Sequence, residues 1–291
     1  MIRKIFKWIA YGLLVIVLVV TGLFTKAYWS VEKRLTKKYD ITLQPFTLTT
    51  DSSIVAEGRR IAQTKDCSGC HGADMGGKVW LDNPLLGKIV APNLTKGEGG
   101  LSEIYSTNDW LRALKHGVKS DLTALRIMPS HELAQLTTDD MNALIAYCSQ
   151  LPSVDRTLST STLGVAGYIL ADFDQIPLIA AEKIDHTLPL RESILQEESI
   201  EFGKYLSVSC EGCHRKNMKG GAPVAPGFPE VADITSSGNP GKWTVAQFMT
   251  TLQTGKTPEG KQLKPEEMPW TAYKNYTKTE FKALFKYLKS I

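Results

Sequence analysis

Cys67-Ser68-Gly69-Cys70-His71 and Cys210-Glu211-Gly212-Cys213-His214 are one five-residue pattern, Cys-x-x-Cys-His, written twice at an offset of 143 residues. A fold for this chain must give both copies the same local geometry, so the extent of the duplication comes first. Met128-Pro129 returns as Met268-Pro269, at an offset of 140. At that same offset Met141, Leu144, Ile145 and Cys148 are matched by Phe281, Leu284, Phe285 and Leu288. Both sets follow the i, i+3, i+4, i+7 spacing of a helix with one buried face. Thr137-x-x-Asp140 and Thr277-x-x-Glu280 precede them as N-terminal capping signals. Asn108 to His116 and Val245 to Thr254 also read as helices, each halted by a glycine, Gly117 or Gly255, suited to a C-terminal cap. Strand-like alternation is nearly absent. The expected fold is all-α, with two tandem helical domains at residues 50–151 and 194–291 joined by a strap at residues 152–193. Val165 to Leu170 and Ile176 to Ala181 make that strap too apolar for a loose tether, and it is expected to pack across the two domains.

Residues 1–49 precede the repeats and carry an uncharged apolar run from Trp8 to Thr25, bracketed by Lys7 and Lys26. Trp8, Tyr11, Tyr28 and Trp29 fall where interfacial aromatics belong, and both lysines can extend into headgroups. The run predicts one membrane-spanning helix over about residues 8–25. A cleaved signal peptide usually has a shorter apolar core, and Thr25-Lys26-Ala27 is a poor cleavage site. Cation counting favours the large part staying inside, because Lys26, Lys33, Arg34, Lys37 and Lys38 outnumber Arg3, Lys4 and Lys7. The chemistry of the pentapeptides overrides that count. Elsewhere, 34 basic and 30 acidic residues are dispersed without a basic block, which speaks against a nucleic-acid partner.

Cys-x-x-Cys-His is the attachment signature of c-type haem. Two thiols two residues apart on a tight turn can each form a thioether to one porphyrin vinyl group, and the next residue then aims its imidazole at the iron. Zinc sites also use Cys-x-x-Cys pairs, but here each pair has its own histidine and lies in a separate repeat, which makes one four-cysteine site awkward. A thioredoxin-like pair needs a strand–helix context that the sequence lacks. Two haems c are therefore expected, on Cys67 and Cys70 and on Cys210 and Cys213, with His71 and His214 as proximal iron ligands. Covalent haem attachment takes place outside the cytoplasm, so both domains are expected on the periplasmic or extracytoplasmic side.

No histidine follows His214, so the sixth ligand of the second site is sought among Met218, Met249 and Met268. Met218 is too near the proximal ligand in sequence to reach the opposite face, and Met249 shares an apolar helix spacing with Leu252. Met268 is held extended by Pro269 and is favoured, since Met/His is an established axial pair. In the first site His116 and His131 compete with Met128. The repeat symmetry selects Met128, leaving those histidines as surface or propionate-side groups. Met75 is the counterpart of Met218. The loop Ala91-Pro92-Asn93-Leu94 offers a carbonyl to the other ring nitrogen of His71, with Pro92 and Asn93 as the supporting residues, and Ala232 in Ala232-Asp233-Ile234-Thr235 is its counterpart. Cys148 shares the buried register of Leu288 and reads as a core residue. His186, in the strap, reads as an exposed histidine.

These motifs resemble the class I cytochrome c family: a helix leading into Cys-x-x-Cys-His, a Pro-Asn-Leu loop, a Met-Pro distal segment and a closing helix. The resemblance covers both repeats and implies haem attachment at the four motif cysteines, His/Met ligation and electron transfer without catalysis. The anchor and tandem arrangement further resemble the cytochrome subunits of membrane-bound dehydrogenases. That implies redox protein partners, a dehydrogenase as donor and an oxidase or quinone pool as acceptor. The competing reading is a di-haem enzyme, a peroxidase or sulfur-compound oxidase, with a labile sixth ligand at the first haem.

Overall fold

The computed structural model describes residues 2–224 and 228–291. In chain order the elements are α1 (Ile2–Thr36), α2 (Ser52–Thr64), α3 (Cys67–His71), β1 (Lys78–Asn83), β2 (Gly87–Ala91), α4 (Thr107–His116), α5 (Ser130–Leu133), α6 (Thr138–Cys148), β3 (Thr162–Leu163), α7 (Val165–Asp172), α8 (Ile200–Ser207), α9 (Glu211–His214), α10 (Asn239–Lys242), α11 (Val245–Thr254) and α12 (Lys278–Lys289). Short 3-10 turns lie at Ala180–Lys183, Val208–Cys210 and Trp270–Asn275. The backbone forms two compact units. One holds residues 1–45, 70–131 and 152–188; the other holds residues 46–69, 132–151 and 189–291. Compactness therefore does not follow the repeat, because α2 and α6 of the first copy belong with the helices of the second.

The helix ends are set by the residues that the sequence nominates. Ser106 Oγ and Thr244 Oγ1 each accept the backbone N–H three residues on, in capping boxes closed by Asp109 and Gln247. Gly117 (φ 66°) and Gly255 (φ 72°) end α4 and α11 in the left-handed region, where a side chain would be strained. Thr137 caps α6, and Thr277 with Glu280 forms a full capping box on α12. On α6, Met141, Leu144 and Ile145 are fully buried; on α12 Phe281, Leu284 and Leu288 are.

Within the second unit the first helix of each repeat crosses the last at a glycine. A Cβ on Gly58 would lie 1.8 Å from the Ala143 carbonyl oxygen, and one on Gly203 would lie 2.0 Å from that of Ala283. Backbones in such contact leave no room for a methyl group, so α2 is locked on α6 and α8 on α12. The two pairs also meet each other through polar side chains. Arg60 on α2 reaches Glu57 and, on α12, Glu280 (2.6 and 2.9 Å). Tyr205 on α8 donates to Asp140 on α6, while its oxygen accepts the Thr137 N–H.

In the first unit β1 and β2 form an antiparallel hairpin that β3 extends. Its turn is an Asx turn in which Asn83 Oδ1 accepts the Leu85 and Leu86 N–H groups. These strands are too short to give a period-two signal, so the sequence reading as all-α misses them; the chain is otherwise mostly helical. The strap also differs from expectation. Ala171, Leu178, Ile179 and Ala181 are buried with Val31, Leu35 and Tyr39 of α1 and its exit and with Val118 and Ala124. Those residues belong to one compact unit, so the strap's apolar side chains pack on the first repeat and the N-terminal helix. The helix α1 is 35 residues long, about 52 Å. None of its most apolar stretch is buried, and Ala27, Val31 and Leu35 form its only buried face.

The glycine crossings carry the first prediction. Gly58→Ala and Gly203→Ala are each expected to cost about 1–3 kcal/mol through overpacking, read as a lower denaturation midpoint. Unchanged midpoints would show that the helix pairs tolerate separation.

Candidate haem sites

Each Cys-x-x-Cys-His segment is coiled into about one helical turn, α3 in the first copy and the 3-10 turn 208–210 with α9 in the second. No disulfide joins any of the five cysteines. From there the copies match hydrogen bond for hydrogen bond. The Met75 N–H donates to Gly72 and that of Gly77 to the His71 carbonyl; Met218 donates to Arg215 and Gly220 to the His214 carbonyl. Leu94 N–H then donates to the Met75 carbonyl, and Ile234 N–H to that of Met218. Met75 and Met218 are buried in this brace, so they serve as core and not as distal groups.

The brace places the loop carbonyls. His71 Nδ1 donates to the Pro92 oxygen at 3.0 Å, and His214 Nδ1 to the Ala232 oxygen at 2.8 Å. With Nδ1 carrying the proton, Nε2 of each ring keeps its lone pair for a metal. Burial pulls both imidazoles below the ordinary histidine range, which keeps them neutral at physiological pH, as metal ligation needs. Asn93 makes the loop rigid. Its Oδ1 accepts the Thr95 N–H at 2.9 Å, and its Nδ2 donates to the Val154 carbonyl at 2.7 Å. Asp233 takes the same place in the second copy, accepting the Thr235 N–H at 2.8 Å. The Asx-x-Thr spacing common to both loops is the signal that a proline-centred reading underuses.

Met128 and Met268 are half-buried and start the same turn, in which their carbonyls accept the N–H of Ser130 (2.8 Å) and Trp270 (2.7 Å). Met249 is half-buried on α11. His116 requires a correction: it is only 2% exposed, not a surface group, and is bonded through Nδ1 to Nδ1 of His186 at 3.0 Å. The strap brings His186 there, half-buried and anchored by Nε2 to the Ala181 carbonyl, so it is not exposed either. His131 is half-buried, and its Nδ1 has no partner. Cys148 is buried, and desolvation pushes its thiol far up, an inert core group.

A further contact escaped sequence reasoning. Lys65, two residues before Cys67, donates through Nζ to Ser209 Oγ at 2.6 Å, and Ser209 directly precedes Cys210. One side chain therefore joins the approaches to both pentapeptides. Burial lowers the Lys65 ammonium below the usual lysine range, while Glu132 and Asp140 work the other way. Glu132 lies against Gly212 and is raised to about 7 by desolvation, with Lys65 opposing and Glu211 reinforcing the shift.

The residues present fit haem c in each copy: two thiols on one turn, and a neutral imidazole whose outer nitrogen is held by a carbonyl. A cytochrome c family model matches residues 55–152 and again residues 200–291. The chain belongs to the cytochrome c family, and its two matched segments are two cytochrome c domains. Covalent haem c is the cofactor of that family, and two domains imply two haems. The chain is 22% identical over 232 residues to the cytochrome c subunit of alcohol dehydrogenase (quinone) from Gluconobacter oxydans (strain 621H), covering 71% of this chain and 48% of that protein. It is 25% identical over 236 residues to the fructose dehydrogenase cytochrome subunit of Gluconobacter japonicus, covering 72% and 47%. A 102-residue stretch is 31% identical to the gluconate 2-dehydrogenase cytochrome c subunit of Pantoea cypripedii, covering 33% and 23%. The chain spans about half the length, or less, of these relatives.

Two variants test the site's physics. Arg215 sits at φ 66°, ψ 167°, a region nearly confined to glycine, where the first copy has Gly72. Arg215→Gly is expected to add about 1 kcal/mol of stability despite losing its bond to the Ala222 carbonyl; a lower midpoint would refute strain there. A carboxyl raised to about 7 contributes stability that is complete below its unfolded value and is lost as pH rises through 7. Glu132→Gln should accordingly stabilise at pH 8 by on the order of 1–2 kcal/mol and be neutral at pH 4. Equal effects at both pH values would count against burial as the cause.

Proposed function

We propose that the chain is a membrane-anchored di-haem electron carrier acting on the outer face of the cytoplasmic membrane, as the cytochrome subunit of a dehydrogenase or respiratory complex. The observation that carries this reading is the pair of histidine-to-carbonyl bonds, His71 to Pro92 and His214 to Ala232, on corresponding one-turn segments. The domains are residues 50–151 and 194–291, with the strap 152–193 between them and the anchor and juxtamembrane segment at residues 1–49. Cys67, Cys70, Cys210 and Cys213 hold the two haems covalently. His71 and His214 ligate on one side, and Met128 and Met268 on the other. Haem c so ligated supplies a one-electron couple, and thioether sulfur favours the ferrous state more than a second imidazole would. The chain's own residues fix the imidazoles and keep them neutral. The Lys65–Ser209 bond ties together the residues that precede the two pentapeptides. Names of the relatives suggest a sugar, alcohol or sugar-acid dehydrogenase as donor.

The apolar stretch of α1 supports the anchor, with the haem domains outside. The cations that follow it, which argue for the opposite topology when counted from sequence, are largely engaged by the folded part. Lys26 pairs with Asp172, Arg34 with Glu182 and Asp174, and Lys38 donates to the Asp121 carbonyl. The test is the holoprotein made in a host competent for haem attachment. Pyridine haemochrome analysis should give two haems c per chain, and acidified organic solvent should leave the colour on the polypeptide. Met128→Ala and Met268→Ala should each remove part of the methionine-to-iron charge-transfer band and lower one of two midpoint potentials. Colour passing into the solvent, or zinc in place of iron, would overturn the proposal.

A further inference from the structure

The strap helix α7 reads Val165-Ala166-Gly167-Tyr168-Ile169-Leu170-Ala171-Asp172, apolar on every face, yet only Gly167 and Ala171 are buried. A helix of that composition normally sits in a protein core or against lipid. Its single charge is neutralised, because Asp172 accepts from Lys26 at 2.5 Å. The placement of α7 along α1 says what faces it. The Tyr168 ring lies 5.9 Å from that of Phe24 and 5.1 Å from that of Tyr28, and Lys26 Nζ lies 5.5 Å from the Phe173 ring centre. The strap's partners on α1 extend further, because the Tyr168 hydroxyl donates to Glu32 at 2.6 Å and Arg34 donates to the Ala171 carbonyl at 2.9 Å. The strap therefore packs on the turns of α1 that follow the end of the uncharged run at Thr25.

The hairpin turn extends this face. The Leu85 carbonyl accepts the Ala166 N–H at 3.0 Å and the Leu86 carbonyl accepts the Gly164 N–H at 2.9 Å, so the turn caps the N-terminus of α7. Gly164 and Gly167 permit that approach; a Cβ on either would lie 2.3 or 2.2 Å from the carbonyl oxygen of Leu85 or Leu86. Leu85 (67% exposed), Val165 (45%) and Phe173 (55%) project from this element, and Trp29 of α1 is exposed as well.

We propose that α7 and the β1–β2 turn that caps it rest on the bilayer, with Leu85, Val165 and Phe173 entering the interfacial layer around α1. The occupant of this face is lipid because it continues from the apolar surface of α1 at the depth where aromatic and lysine side chains mark the membrane boundary. This inference rests on α1 spanning the membrane. The docked strap gives the first domain a second point of membrane contact and restricts its swing about α1.

The full-length holoprotein, in a Cys148→Ala background, is reconstituted in nanodiscs of phosphatidylcholine and phosphatidylglycerol. Nitroxide labels are placed singly at Leu18→Cys, Leu85→Cys, Val165→Cys, Phe173→Cys and Ile104→Cys. The ratio of oxygen to nickel-chelate collision rates then reports depth. Ratios at 85, 165 and 173 severalfold above that at Ile104, which is 88% exposed, support docking. Water-like ratios there, with a lipid-like ratio at position 18, overturn the docking and leave the anchor standing. A water-like ratio at position 18 overturns the anchor and the docking together.

Discussion

The close backbone contacts at Gly58 and Gly203 are the constraint from which each domain follows. With no side chain between them, α2 meets α6 and α8 meets α12 near carbonyl contact distance, and the start and finish of each repeat become one crossed pair. The pentapeptide begins nine residues after the Gly58 crossing and seven after that at Gly203. Its orientation is thereby fixed before the loops that complete the site are considered. The loops are in turn braced by Met75 and Met218 to deliver one carbonyl each to a histidine ring, which leaves the second ring nitrogen with a free lone pair.

The polar contacts between the helix pairs have a different role. Arg60 bonded to Glu57 and Glu280, and Lys65 to Ser209, are partly buried charges whose desolvation offsets most of their attraction, so they add little to stability. What they provide is registry. An apolar surface would let α2 and α6 slide against α8 and α12, whereas a guanidinium with carboxylates on both helices accepts one alignment.

The strap shows how far pattern reasoning reaches. Its apolar composition rightly excludes a loose tether, but composition cannot name the surface it covers. That surface is α1 and the first repeat, and the same packing brings His186 against His116 and leaves neither histidine exposed. The small sheet was hidden for a related reason. Strands of five or six residues carry too few alternations to stand out, and the Asx turn at Asn83 is visible only when its two flanks are already known to pair.

From the sequence alone come the duplication, the helix boundaries and caps, the covalent chemistry of Cys-x-x-Cys-His and the apolar N-terminal run, because each is a local property of spacing and residue type. Tertiary structure decided which carbonyls hold the histidines, that α2 and α6 pack with the second repeat, that Lys65 reaches Ser209, and that the strap packs on α1. Those contacts join residues from 18 to more than 200 positions apart. Their partners are selected by the shape and charge of assembled surfaces, which no local pattern encodes.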